Sequence, residues 1–280
     1  MSILPAIALL MSLPALAPPS GTAPVAVQPT TALLTPPPHT LIQPASDPPT
    51  SESVPPDLSG RFAQKLVTTA RAKVMGVGRV DTTTTAYLIV EVEQEGTRLR
   101  MKSRACNATL DGSRVVRTTI PDAFIESLPE RTRRGTLRQD GDTWRLDVAR
   151  DWDIRGVRLR DPANEPLPED ADDPRVFDQD GDGHPGLSVQ VEGLIDGEVR
   201  VVQRGWDEYT FSVDSADHLR GSVRWNSEQS VVDATSRFLR GGPEARPLPD
   251  PELNYVELKR VAPSVDCQAL KSRPDAVFSD

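Results

Sequence analysis

Every Trp, Tyr and Phe of this chain lies beyond Gly60, while about half of its 27 prolines lie before it. The first sixty residues also contain no lysine or arginine. A segment without aromatic anchors and interrupted by proline cannot bury enough apolar surface to offset the entropy of ordering it. The folded part is therefore confined to roughly 220 residues from Leu58 onward, enough for one sizeable β domain.

The early segment divides in two. Ile3–Ala17 is an apolar run ending in Ala15-Leu16-Ala17, so residues 1–17 are expected to form a secretory signal peptide, cleaved there or a few residues later. The run is too short and too proline-interrupted for a membrane span. Residues 18–57 are expected to form a disordered Pro-rich tether, with polyproline II character strongest at Pro36-Pro37-Pro38. Residues 58–280 are assigned to a single β-rich domain. Export to the periplasm, cell surface or extracellular space makes a disulfide between Cys106 and Cys267 the expected state of the two cysteines.

Charge excludes one class of partner. The formal net charge is −9 and the pI about 5.0, so no basic domain exists to neutralise nucleic-acid phosphates. Arg131, Arg133, Arg134 and Arg138 form a local basic cluster, read as a solvated loop or strand face.

Beyond Gly60 the dominant pattern is period two. Tyr87–Glu93 runs into alternation, Arg98–Lys102 alternates strictly, and Gln94-Glu95-Gly96 supplies the turn between them. Arg114–Ile120, Thr143–Val148, Tyr209–Val213, His218–Trp225, Ser230–Phe238 and Tyr255–Val261 are further strand candidates. Leu187–Leu194 and Glu198–Arg204 flank Asp196-Gly197 as a second hairpin, and Asp122–Leu128, after Pro121, is a helical turn. Short antiparallel neighbours predict a mainly β fold, an up-and-down or half-open barrel similar to lipocalins, with a β-sandwich as the alternative.

One motif carries metal chemistry. Asp178-Gln179-Asp180-Gly181-Asp182-Gly183 places three carboxylates at alternate positions before a glycine. It resembles the start of the calcium loops of EF-hands, dockerins and thrombospondin type 3 repeats. Calcium takes six to eight oxygens, and such a loop turns Asp178, Asp180, Asp182 and the backbone carbonyl of His184 towards one centre. The resemblance implies a structural Ca2+ site. It covers about nine residues and departs from those families at the twelfth position, where Val189 replaces their bidentate acid. Glu192, Asp170, Asp172 and Asp173 are the nearby replacements. The loop and the hairpin after it also resemble uncharacterised exported bacterial β-rich proteins.

The remaining chemistry is sparse. His218, after Asp214 and Asp217, reads as a surface turn rather than an acid–base pair, and Ser188 and Ser222 lack a nucleophile-elbow context. Asn107-Ala108-Thr109 matches a glycosylation sequon. Trp144, Trp152, Trp206 and Trp225 fall in or beside strands, as core residues or as the lining of a pocket. No catalytic residue is assigned. The expected function is a non-enzymatic, monomeric, exported binding or envelope-associated structural module. Its partner would be a small apolar ligand or an envelope component. The alternative is a calcium-dependent hydrolase of envelope polymers or glycans using carboxylates of residues 165–182.

Overall fold

The computed structural model describes residues 54–74, 78–112, 116–193, 196–240 and 245–278. The expected signal peptide and nearly all of the tether lie outside the described residues. The strands are β1 (Gly60–Val74), β2 (Gly78–Glu95), β3 (Arg98–Asp111), β4 (Val116–Thr119), β5 (Arg131–Asp140), β6 (Thr143–Arg155), β7 (Leu187–Gly193), β8 (Gly197–Val213), β9 (His218–Ala234), β10 (Ala245–Pro247) and β11 (Tyr255–Arg260). Three short helices are α1 (Asp122–Ser127), α2 (Cys267–Ser272) and α3 (Pro274–Phe278).

All the strands join one antiparallel sheet. β1, β2, β3, β5, β6, β8, β9 and β11 follow one another around a ring of eight strands, which β11 closes by pairing with both β9 and β1. The ring strands follow chain order, with β4, β7 and β10 intervening in the chain but lying outside the ring. The ring is not a regular barrel. β7 branches from the first half of β8 and carries β4, while β10 pairs with the far half of β1. Gly96 and Gly141, at φ 58° and 61°, make the two tight turns β2–β3 and β5–β6, where the left-handed backbone favours glycine.

Alternation builds the core. Phe62, Val90, Val92, Leu99, Met101, Leu137, Leu146, Val148, Tyr209, Phe211, Val213, Leu219, Val223, Val256 and Leu258 point into the ring. Burying each such side chain contributes about 1.5–3 kcal/mol, so truncating the fully buried Phe211 to Ala should cost about 3–5 kcal/mol. Further along the long strands lies a second core of Leu187, Val189, Val191, Val199, Val201 and Leu239, on which α1 sets Phe124 and Ile125. The inward row of β8 runs Val199, Val201, Gln203, Gly205, Asp207, Tyr209, Phe211, Val213, from the second core to the first, with polar or absent side chains in between.

Two coverings protect the outer face. α2 and α3 lie over Ala63, Tyr87, Ile89 and Cys106. Cys267, in the first turn of α2, meets Cys106 at disulfide distance, with Cα atoms 4.8 Å apart and 161 residues between them. The acidic segment 157–176 covers β8 and β9 from outside, where Val157 and Leu167 bury Val202 and Val232.

Boundaries differ from those read in the sequence. His218–Trp225 and Ser230–Phe238 fuse into β9, because its middle pairs continuously with β8, and the strand stops at Ala234, before a single 3-10 turn at Arg237–Leu239. β6 continues through a bulge after Val148 to Arg155. β1, β5 and the three-residue β10 are strands that the pattern did not single out.

Candidate functional site

The first candidate is the space between the two cores. A cavity of about 100 Å3 opens there, beneath α1. One wall is mainly apolar: Leu66 from β1, Ala86 and Leu88 from β2, Ala105 and Ala108 from β3, with Ile120, Phe124, Ile125 and Leu128 from the α1 region, interrupted by Thr68, Thr84 and Asn107. The other wall is polar: Arg131 from β5, Asp153 and Arg155 from β6, and Gln203, Asp207 and Tyr209 from β8. Arg204, Gly205, Trp206, Trp225 and Ser227 also line it.

Strand alternation explains the polar wall. The basic cluster 131–138 is strand β5, not a loop. It sends Arg131 and Arg133 inward and leaves Arg134 and Arg138 exposed. Beyond the β6 bulge, Asp151 faces Asp207, Asp153 faces Gly205 and Arg155 faces Gln203. Arg131 donates twice to Asp151, at 3.0 and 2.8 Å, and lies 3.7 Å from Asp153 and 3.8 Å from Asp207. Arg133 donates to the carbonyls of Ala149 and Asp207, places Nη1 2.7 Å from Asp207 Oδ1, and stacks 4.2 Å from the Tyr209 ring centre. Arg155 donates to Asp153 and to Gln203 Oε1.

These contacts set ionisation. Enclosure by itself raises the Asp153 carboxyl, but Arg155 and Arg131 hold it below the ordinary carboxylate range. Burial pulls the Arg131 guanidinium down, while Asp153 and Asp207 hold it above its ordinary value. Burial, then the Asp207 charge, pushes the Tyr209 phenol up, so its hydroxyl stays a donor to Asp207 Oδ2, 3.1 Å away. Behind this wall Arg155 Nε, Asp207 Oδ1 and Ser227 Oγ are buried without a hydrogen-bond partner.

The second candidate is the acidic loop. Asp178, Asp180 and Asp182 bring ligand oxygens within 4.8 Å of one another and could hold a metal ion. Asp178 accepts the amides of Gly181 (2.8 Å) and Gly183 (2.9 Å), which wraps the loop around it. Asp182 accepts the His184 amide and Asp180 Oδ2 the Ser188 amide, tying the loop to the start of β7. Asp180 Oδ1 is buried without a partner. Burial alone would raise the Asp182 carboxyl, but the Ser188 hydroxyl and the His184 amide beside it hold it below its ordinary value; that hydroxyl is buried and lacks hydrogen-bond geometry to any group. Oxygen-only donors with an orphaned buried carboxylate oxygen suit a hard cation. Gln179, between the aspartates, points away: its Oε1 accepts the Gly156 amide at 2.7 Å and its Nε2 donates to Ser127 O at the end of α1.

The replacement ligands do not join the loop. Val189 is core, 1% exposed. Glu192 stands opposite Arg117 on β4, about 13 Å along the strand from Ser188 at ordinary strand rise. Asp170 caps its own turn, and Asp173, with Glu165, clasps Arg175. The Arg175 hydrogen bonds pull the Asp173 carboxyl down to about 2. Those acids thus belong to the outer covering segment. His218 pairs across strands with Glu257, 2.6 Å away, and not with Asp214 or Asp217. Asn107 of the sequon is half-buried and lines the cavity.

No family model, no curated protein and no solved structure matches this chain. Among the described residues no helix is long and apolar enough to cross a membrane.

Proposed function

We propose that this chain is an exported, non-enzymatic binding module that holds a small ligand in the cavity beneath α1, with a calcium ion stiffening the loop Asp178–Gly183. The observation that carries the reading is the two-sided cavity itself. Aliphatic residues of β1, β2 and β3 face an ion-paired wall of β5, β6 and β8, in the zone where the inward row of β8 changes from Val201 to Gln203, Gly205 and Asp207. Ligand sites combine an apolar surface with a few convergent polar groups in this way. Around the loop, Asp178, Asp180 and Asp182 would supply carboxylate oxygens and His184 its carbonyl, with water in the remaining positions. Such a partial ligand set fits the extracellular regime, with Kd on the order of 10⁻⁴–10⁻³ M. The cysteine pair suits an oxidising compartment.

The test is native mass spectrometry of protein purified from its own host, followed by thermal unfolding with calcium and with chelator. A retained small molecule and a calcium-dependent rise in Tm are expected. Mass equal to the bare chain, together with an unchanged Tm at millimolar calcium, would refute both parts, because a ligand of the native state must stabilise it.

A further inference from the structure

The outside of the ring carries a strip of positive charge that the fold only partly neutralises. On the wet face of β3 stand Arg98, Arg100, Lys102 and Arg104, about 7 Å apart along the strand. Beside them the exposed positions of β5 are Thr132, Arg134, Thr136 and Arg138. Register sets Arg100 directly opposite Arg134, and Arg138 directly opposite Arg145 of β6. Like charges facing each other across strands destabilise a sheet. Several other cross-strand charges of this sheet are matched instead. Arg61 faces Glu91, Arg71 faces Asp81 and Glu208 faces Arg224, each pair in salt-bridge contact.

The two arginine pairs are compensated unequally. Asp147 lies 3.7 Å from Arg138 and 3.2 Å from Arg145. At the other pair Glu93 reaches Arg100 at 3.0 Å, and Glu130 reaches Lys102 at 2.6 Å. Arg134 forms no hydrogen bond or ion pair with a described residue, nor does Arg98, although Glu95 stands opposite it. A groove open to solvent runs between the two strands, with Arg98 and Arg100 on one bank and Thr132, Arg134 and Thr136 on the other. A local rule broken on a wet face, to the detriment of the fold, marks a position chosen for function.

The shape of the strip selects its partner. Exposed Glu91, Glu93 and Glu95 of β2 bound it on one side and Asp147 of β6 on the other. Adjacent strands are about 5 Å apart, so the positive ground is about one polymer chain wide. A nucleic-acid duplex, with a charge for about every 1.7 Å of axis, or the plane of an anionic membrane would press negative charge onto the glutamate row. A single nucleic-acid strand is held by stacking on aromatic side chains, and the exposed positions of this strip hold none. Arginine forks grip planar or tetrahedral oxyanions through paired N–H donors, and Thr132 and Thr136 offer hydroxyls to a neutral backbone. We infer that the strip binds a linear anionic polysaccharide, bearing carboxylate or sulfate groups, laid along the groove with one anion between Arg100 and Arg134. Binding forms ion pairs and hydrogen bonds only. It uses no residue of the cavity or of the aspartate loop, so it stands apart from both.

The experiment uses the full chain and labelled octamers of galacturonate, heparin, neutral dextran and single-stranded DNA, with phosphatidylglycerol vesicles as a fifth probe. Fluorescence anisotropy at low salt, and sedimentation for the vesicles, reads binding. At least one of the two anionic glycans should bind more tightly than DNA or vesicles, dextran should not bind, and added salt should weaken the complex. Arg134→Glu should weaken glycan binding about tenfold, while its Tm should not fall, because Arg100 gains an opposite charge across the strands. Arg134→Gln should weaken binding about threefold. Arg79→Glu makes the same change of charge at another exposed like-charged pair, Lys73 and Arg79, and should alter binding by less than twofold. Failure of both anionic glycans to bind would overturn the inference, as would DNA or vesicles binding more tightly than either. Equal losses in Arg134→Glu and Arg79→Glu would also overturn it, by tracing the binding to overall charge.

Discussion

Arg133 on β5 and Asp207 on β8 place opposite charges 2.7 Å apart inside the ring, at 5% and 16% side-chain exposure. β6 lies between their strands, so the pair spans three strands and also takes in Tyr209, whose hydroxyl donates to the same carboxylate. Breaking such a pair strands a buried charge, whereas replacing both partners by apolar groups removes the cost from each side.

Asp207→Ala should therefore destabilise the protein by about 3–5 kcal/mol, as should Arg133→Ala. The double variant Arg133→Met, Asp207→Leu should recover most of that loss. Urea unfolding of the three proteins measures it, and strictly additive losses in the double variant would contradict the pairing.

Calcium should raise stability in proportion to occupancy. With a Kd near 10⁻³ M, 10 mM calcium contributes about 1.4 kcal/mol, a Tm increase of about 3–6 °C for a domain of this size. Asp180→Asn keeps an acceptor for the Ser188 amide but removes the charge of the orphaned carboxylate. It should abolish the calcium-dependent shift while leaving the chelated Tm near that of wild type. Differential scanning calorimetry separates the two effects.

Cys106 and Cys267 close a loop of 161 residues between β3 and α2. The loop-entropy relation gives about 5 kcal/mol for a closure of that length, with measured bridges commonly delivering 2–5 kcal/mol. Reduction, or Cys267→Ser, should lower the denaturant midpoint accordingly. Protection of the amides of α2 from hydrogen exchange should fall first, because that helix is held to Ala63, Tyr87 and Ile89 by few other residues. Equal stability of the oxidised and reduced forms would count against a bridged native state.

Two buried groups set the pH limits. The Asp153 carboxyl is depressed in the folded state despite its burial, because Arg155 and Arg131 hold its charge. It contributes stability above its unfolded value near 4, and that contribution is lost as pH falls through the lower folded value. The Tyr209 phenol is raised by burial and by Asp207, so its contribution is complete below about pH 10 and lost as pH rises beyond that. Stability should stay flat between about pH 5 and pH 9 with respect to these two groups. In Tyr209→Phe the alkaline loss should shrink, and absorbance titration should show Tyr209 ionising only with unfolding.

The sheet was readable from the sequence where one face is wet. In Arg98–Lys102 each charged residue is exposed and each apolar one buried, and period two is plain. β1 was harder, because GRFAQKLVTTARAKV is buried on both faces: Phe62 and Leu66 point into the ring, while Ala63 lies under α2 and Val67 is also covered. That burial removes the alternation on which the reading depends. β5 was missed for the opposite reason. Its inward positions carry Arg131 and Arg133, charges that look solvated until Asp151, Asp153 and Asp207 arrive from strands distant in sequence. The aspartate loop could be recognised because its residues are contiguous. The cavity could not, since it is assembled from eight segments distant in the chain, and its polar wall is made of charges that pair only across strands.

β8 lends each of its faces to a different neighbourhood. Val199 and Val201 anchor the region next to the aspartate loop, Gln203 to Asp207 border the cavity, and Phe211 and Val213 fill the ring, while outward Val202 is roofed by Leu167. A seam along which one part could loosen alone would have to cut that single ribbon of backbone. Melting should consequently be concerted, one endotherm rather than two, and the protective effects of cation and occupant should sum within it.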